Sequence, residues 1–94
     1  METPKSITEW AIDTFGRLDE QTVALRMNKE VSELLTALHT HSLGTPEEIA
    51  DIAIMLFQVA YLHGIDLQAE VDRKMAINRA RSWERGPSGD WQHA

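Results

Sequence analysis

The stretch TPEEIADIAIMLFQVAYLHG, residues 45–64, decides the fold class. Pro46 suits the first helical position, Thr45 before it suits an N-cap, and Glu48 three residues after that cap completes a capping-box pattern. Ile52, Met55, Val59 and Leu62 then recur at helical spacing, and Gly64 supplies the stop. Strict apolar/polar alternation, the mark of a half-buried strand, is missing here and in the rest of the chain, as are Asn-Gly and Asp-Gly hairpin turns. The sequence therefore predicts an all-α fold.

Outside this stretch, proline and glycine fall at Pro4, Gly16, Gly44 and the cluster Gly86-Pro87-Ser88-Gly89. They delimit a short helix over about 6–15, with Ile7, Ala11 and Phe15 on one face, and a longer one over about 20–39, with Val23, Met27, Val31, Leu34, Leu35 and Leu38. A fourth helix starts at an Asp66 cap and runs to about Trp83. Residues 1–85 form one helical domain, and residues 86–94, which show no periodicity despite Trp91, read as a flexible tail.

Ninety-four residues suit a single domain and leave no room for a second catalytic one. With 43% hydrophobic and 26% charged residues the chain has a globular balance, and its net charge of -6 argues against a nucleic acid polymer as partner. The absence of cysteine excludes disulfides, zinc-thiolate sites and thiol nucleophiles. No run approaches the ~18 apolar residues of a membrane helix and no apolar signal core follows the N-terminus, so no membrane partner and a cytoplasmic location are expected. So short a chain buries only a modest fraction of its surface. Its third helix also carries Ile49, Ile54, Leu56 and Phe57 beside the apolar stripe, more than one protomer can cover. A four-helix bundle completed by homo-oligomerisation follows, as a homodimer at least.

Four carboxylates break the amphipathic pattern. Glu30 and Glu33 project from one side of the second helix, with Glu30 about 20° from Val23 and about 40° from Leu34 in angular position. On the third helix Glu48 falls within about 40° of Ile52 and about 20° of Met55 and Val59, with Asp51 flanking it. Taken singly, Glu48 is explained by the capping box and Glu30 and Glu33 by the edge of an amphipathic face. Taken together, the two pairs put like charges towards packed sides, where they lose hydration and repel unless a cation is shared. Oxygen donors without imidazole or thiolate favour Mg²⁺ or Mn²⁺, with Ca²⁺ a further fit. On the fourth helix Lys74, Asn78 and Arg81 share a face and could pair with phosphate oxygens.

The ordered set Lys29-Glu30-x-x-Glu33, a fourteen-residue spacer, Glu48-x-x-Asp51, then Lys74-x-x-x-Asn78-x-x-Arg81-x-Trp83 resembles the MazG-like all-α nucleoside triphosphate pyrophosphohydrolases. That family's pattern is E-E-x-x-E, a spacer, E-x-x-D and a downstream Lys/Asn/Arg helix. The resemblance spans roughly Ile7 to Trp83. It implies hydrolysis of a nucleoside triphosphate, expected to be a deoxynucleotide, to the monophosphate and pyrophosphate. It assigns Glu30, Glu33, Glu48 and Asp51 as Mg²⁺ ligands, with Mn²⁺ as a substitute. Lys74, Asn78 and Arg81 match positions near the phosphates. Glu30 or Glu33 is then the candidate acceptor of the water proton. Aromatic faces stack on nucleobases, which makes Trp10, Phe15 and Trp83 candidates for the base, and the resemblance places aromatic residues of the first helix there. The resemblance also allows a homotetramer. Lys29 departs from the pattern, standing where the family has its first acidic residue, and so bears on the number of metal ions.

Two other readings use the same residues. A ferritin-like di-iron site wants Glu-x-x-His, which does not occur here. A non-catalytic helical interaction module would cover its apolar stripes with partner helices and leave the acidic pairs incidental.

Overall fold

Helix-forming segments separated by glycine give, in a computed structural model that describes residues 1–94, the order α1 (Pro4–Phe15), α2 (Glu20–His39), α3 (Thr45–Leu62), α4 (Leu67–Ala80), β1 (Trp83–Arg85) and β2 (Trp91–His93). The four expected helices are all present. α1 begins at a reciprocal cap in which Thr3 accepts from the Ser6 amide and Ser6 accepts from the Thr3 amide. Asp19 accepts from the Gln21 amide and the Thr22 hydroxyl at the head of α2, and Asp66 caps α4 as its sequence suggests.

α3 differs from expectation at its first residue. Gly44 is the N-cap, Thr45 already lies in the helix with its hydroxyl donated to the Ser42 carbonyl, and no side chain caps the helix. The capping box with Glu48 does not form, so capping does not account for that carboxylate.

α2 and α3 stop in the same way. At the end of α3 the Ile65 amide reaches the Ala60 carbonyl at 2.8 Å and the Gly64 amide reaches Tyr61 at 3.1 Å, with Gly64 at φ 70°. At the end of α2, Ser42 reaches Ala37 at 2.8 Å and His41 reaches Leu38 at 3.3 Å, with His41 at φ 53°. Both are Schellman closures, and in α2 a histidine takes the left-handed position usually given to glycine. His63 at the α3 terminus also pairs with Glu20 at 3.2 Å, tying the end of one helix to the start of another.

α3 packs against both α1 and α2, and the buried residues Thr8, Ala11, Val23, Ala37, Met55, Gln58 and Ala60 all belong to these three helices. α4 leaves α3 at 101° and buries none of its residues. Its first turn borders a groove with Pro4 and Phe57, and its remainder extends away. The radius of gyration is 16.2 Å, against about 12 Å for a compact chain of this length. No single helix is long and apolar enough to cross a membrane.

The C-terminal segment corrects three expectations. The fourth helix ends at Ala80 rather than near Trp83, and residues 83–93 form an antiparallel hairpin with Trp83 opposite His93 and Arg85 opposite Trp91. The chain is thus not purely helical, and the segment read as a loose tail supplies the turn and second strand of this hairpin. The physical reason lies in side chains that periodicity does not register. The Arg85 guanidinium lies 5.2 Å over the Trp91 ring, the Trp83 and His93 rings meet edge to face at 5.7 Å, and Gly89 at φ 86° allows the turn.

Candidate active site

Antiparallel packing of α2 on α3 sets the middle of one helix beside the start of the other. Glu30 and Glu33, one turn apart on α2, meet Glu48 from the first turns of α3, and a carboxylate oxygen from each lies within 4.8 Å of the others. Glu30 and Glu48 are half-buried and Glu33 is exposed. Glu48 Oε2 is buried with no hydrogen-bond partner. Burial, followed by the neighbouring carboxyls of Glu33 and Glu48, pushes the Glu30 carboxyl above its ordinary value. Three acidic groups crowded together, one with an orphaned oxygen, form a donor set that fits a hard divalent cation.

The raised Glu30 value fixes the sign of a pH effect. In the metal-free protein the fold keeps a proton on Glu30 at pH values where the unfolded chain has released it. Stability contributed by this group is therefore present in acid and is lost as pH rises from the ordinary 4.5 through the higher folded value. Added Mn²⁺ should reverse the trend, because the ion binds the charged form. Thermal midpoints measured against pH with EDTA and with Mn²⁺ check this; parallel curves would remove the basis for a cation at the trio.

The other expected residues divide. Asp51 is one turn beyond Glu48, but it is exposed and does not join the trio; it lines the adjoining cavity. That cavity, about 260 Å³, lies between α1, α2 and α3. Trp10 and Phe15 sit at its rim, edge to face at 5.4 Å, with 59% and 68% of their surfaces exposed. Trp83 is elsewhere: its indole N–H donates to the Asn78 carbonyl at 2.8 Å and closes the end of α4. Lys74, Asn78 and Arg81 lie in or just after α4, outside the three-helix body, and Lys74 and Arg81 form no ion pair within the chain. Lys29 reaches Glu33 at 4.0 Å, a cation at the edge of the acidic trio.

Two residues of the cavity escape the sequence reading. Arg26, one turn before Glu30, and Gln58, on the face of α3 shared with Glu48, Asp51 and Met55, both line it. Gln58 carried a signal of its own, as the one strongly polar side chain in the apolar run from Ile52 to Leu62.

The chain matches no protein-family model. Its structure is similar to a solved MazG-like pyrophosphohydrolase of cyanophage S-2L, bound to dGDP and three catalytic Mn²⁺ ions per active site. The two share 30% identity at a TM-score of 0.80, over 97% of this chain and 92% of that one. The chain belongs to the MazG-like family. Two curated relatives, both named dATP/dGTP diphosphohydrolase, come from Salmonella phage PMBT28, 39% identical over 98% of this MazG-like chain, and from cyanophage S-2L, 37% identical over 72% of it. The chain spans 30% of the length of the first and 62% of the second.

Proposed function

We propose that this chain is a divalent-metal-dependent pyrophosphohydrolase of deoxynucleoside triphosphates, with dATP and dGTP the first candidates. The observation that carries the reading is the trio Glu30, Glu33 and Glu48 with a buried, unpartnered oxygen on Glu48. The names of the two relatives and the dGDP and Mn²⁺ of the similar structure support it. In the reaction, a water oxygen bonds to the α-phosphorus and the bond to the β-phosphate oxygen breaks. The products are deoxynucleoside monophosphate and pyrophosphate.

Glu30, Glu33 and Glu48 would hold Mg²⁺, or Mn²⁺ in its place, with Asp51 a fourth donor one turn away. When bound, such an ion neutralises triphosphate charge and acidifies water. Glu30 or Glu33 takes the proton lost by the water, and the rest of the chain positions the substrate. Trp10 and Phe15 stack on the base at the rim of the cavity, whereas the place of Trp83 at the end of α4 suits structure better.

The active form is a homodimer or homotetramer. A chain with only seven of 94 residues buried, and with an unpacked α4, has apolar surface left to cover. In that assembly α4 of a neighbouring copy brings Lys74, Asn78 and Arg81 to the triphosphate. Incubation with each dNTP and Mg²⁺ or Mn²⁺ should release pyrophosphate and not single phosphate. No hydrolysis across the panel, with no metal-dependent thermal shift, would leave a helical interaction module instead.

A further inference from the structure

We propose that Gln58 reads the six-position edge of a purine base, its carboxamide turning over to suit adenine or guanine. The inference rests on the nucleotide reading above and adds to it the residue that selects the base. Gln58 is only 9% exposed, yet it lines an open cavity and its carboxamide has no hydrogen-bond partner within the chain. Neither of its polar atoms is fully enclosed, so the carboxamide opens on the cavity, where water satisfies it. The polar edge of a ligand in the cavity would replace that water with direct hydrogen bonds.

The location fits a base. Glu48 and Gln58 are ten residues apart on one side of α3, so about 15 Å of helix separates the acidic trio from the carboxamide. Phosphates held at the trio would extend the nucleoside along α3 past Asp51 and Met55, with Trp10 and Phe15 alongside. The cavity, about 260 Å³, is smaller than the about 300–1,000 Å³ of sites that enclose a whole small ligand, which suits one part of a nucleotide.

The chemistry selects the edge. Adenine offers an N6–H donor beside the N1 acceptor; guanine offers the O6 acceptor beside the N1–H donor. A carboxamide holds one donor and one acceptor side by side and presents them in either order after a half-turn about its last bond. A single Gln thereby accepts both purines at two hydrogen bonds each.

The test compares wild type, Gln58→Glu and Gln58→Met on dATP, dGTP and the purine deoxyriboside triphosphate that lacks a six-substituent. Wild type should use dATP and dGTP comparably and discriminate against the unsubstituted purine by about 10-fold or more in kcat/KM. Glutamate only accepts hydrogen bonds, so it suits the N1–H and N2–H donors of guanine and repels the N1 lone pair of adenine. Gln58→Glu should raise the dGTP/dATP ratio by at least about 10-fold. Gln58→Met keeps the volume without the amide; it should fold with an undiminished thermal midpoint and erase the penalty on the unsubstituted purine. Equal losses on all three substrates in either folded variant, or a penalty that persists in Gln58→Met, would overturn the proposal. A wild type that hydrolyses no nucleotide at all would instead remove the functional reading, and this inference with it.

Discussion

Glu48→Gln is expected to lower metal-dependent kcat/KM by at least about 100-fold and to abolish the Mn²⁺-induced rise in thermal midpoint, while making the metal-free protein more stable. The opposite signs come from one cause. In the free protein Glu48 brings a buried oxygen with no partner into a group of three carboxylates. A neutral amide there removes like-charge repulsion and can donate to Glu30 or Glu33, a gain of about 1 kcal/mol or more. The same exchange deprives a divalent ion of an anionic ligand. General damage to the fold would lower both stability and activity, so calorimetry with and without Mn²⁺ beside steady-state kinetics separates the two. A variant that keeps its metal response would take Glu48 out of the ligand set.

In the proposed homo-oligomer, Leu35→Asp is expected to leave monomers at micromolar concentration and to remove hydrolysis with the assembly. Leu35 is 63% exposed, and Val31 and Leu38 stand four residues before and three after it on the same side of α2, both exposed in the single chain. Covering a leucine contributes about 2 kcal/mol per protomer, and a carboxylate put in its place must also lose its water. Since a symmetric contact counts each change twice, a single substitution suffices. Light scattering reads the mass directly. An assembly that persists with Asp at position 35 would mean that this side of α2 stays in solvent.

What the sequence could reveal depended on periodicity. Helices α1 to α4 were legible because their apolar residues repeat at helical spacing between Gly16, Gly44 and Gly64. The approach of Glu30 to Glu48 followed from the same arithmetic, since both lean towards a packed side, and Glu33, though exposed, stands one turn from Glu30. Periodicity was silent on the hairpin, whose six paired residues are held by Arg85 over Trp91, Trp83 against His93 and a five-residue turn. Thr45 misled because the cap pattern is local, whereas Gly44 and Ser42 fixed the actual start of α3 one residue earlier. The separation of Lys74, Asn78 and Arg81 from the acidic trio could not be read either, for a shared helical face says nothing about the direction in which α4 leaves α3.

That direction is set by the closure at Gly64. Two backbone hydrogen bonds and a left-handed glycine close α3, and Asp66 caps the next helix two residues later, so only a short link separates the two closed helix ends. A short link leaves α4 less freedom to lose when a second copy receives it than a long one would. If two copies are needed for one working site, the concentration of active sites at low abundance grows with the square of chain concentration. Cellular output would then track copy number more steeply than gene dosage, and dilution alone would switch the activity off without any effector.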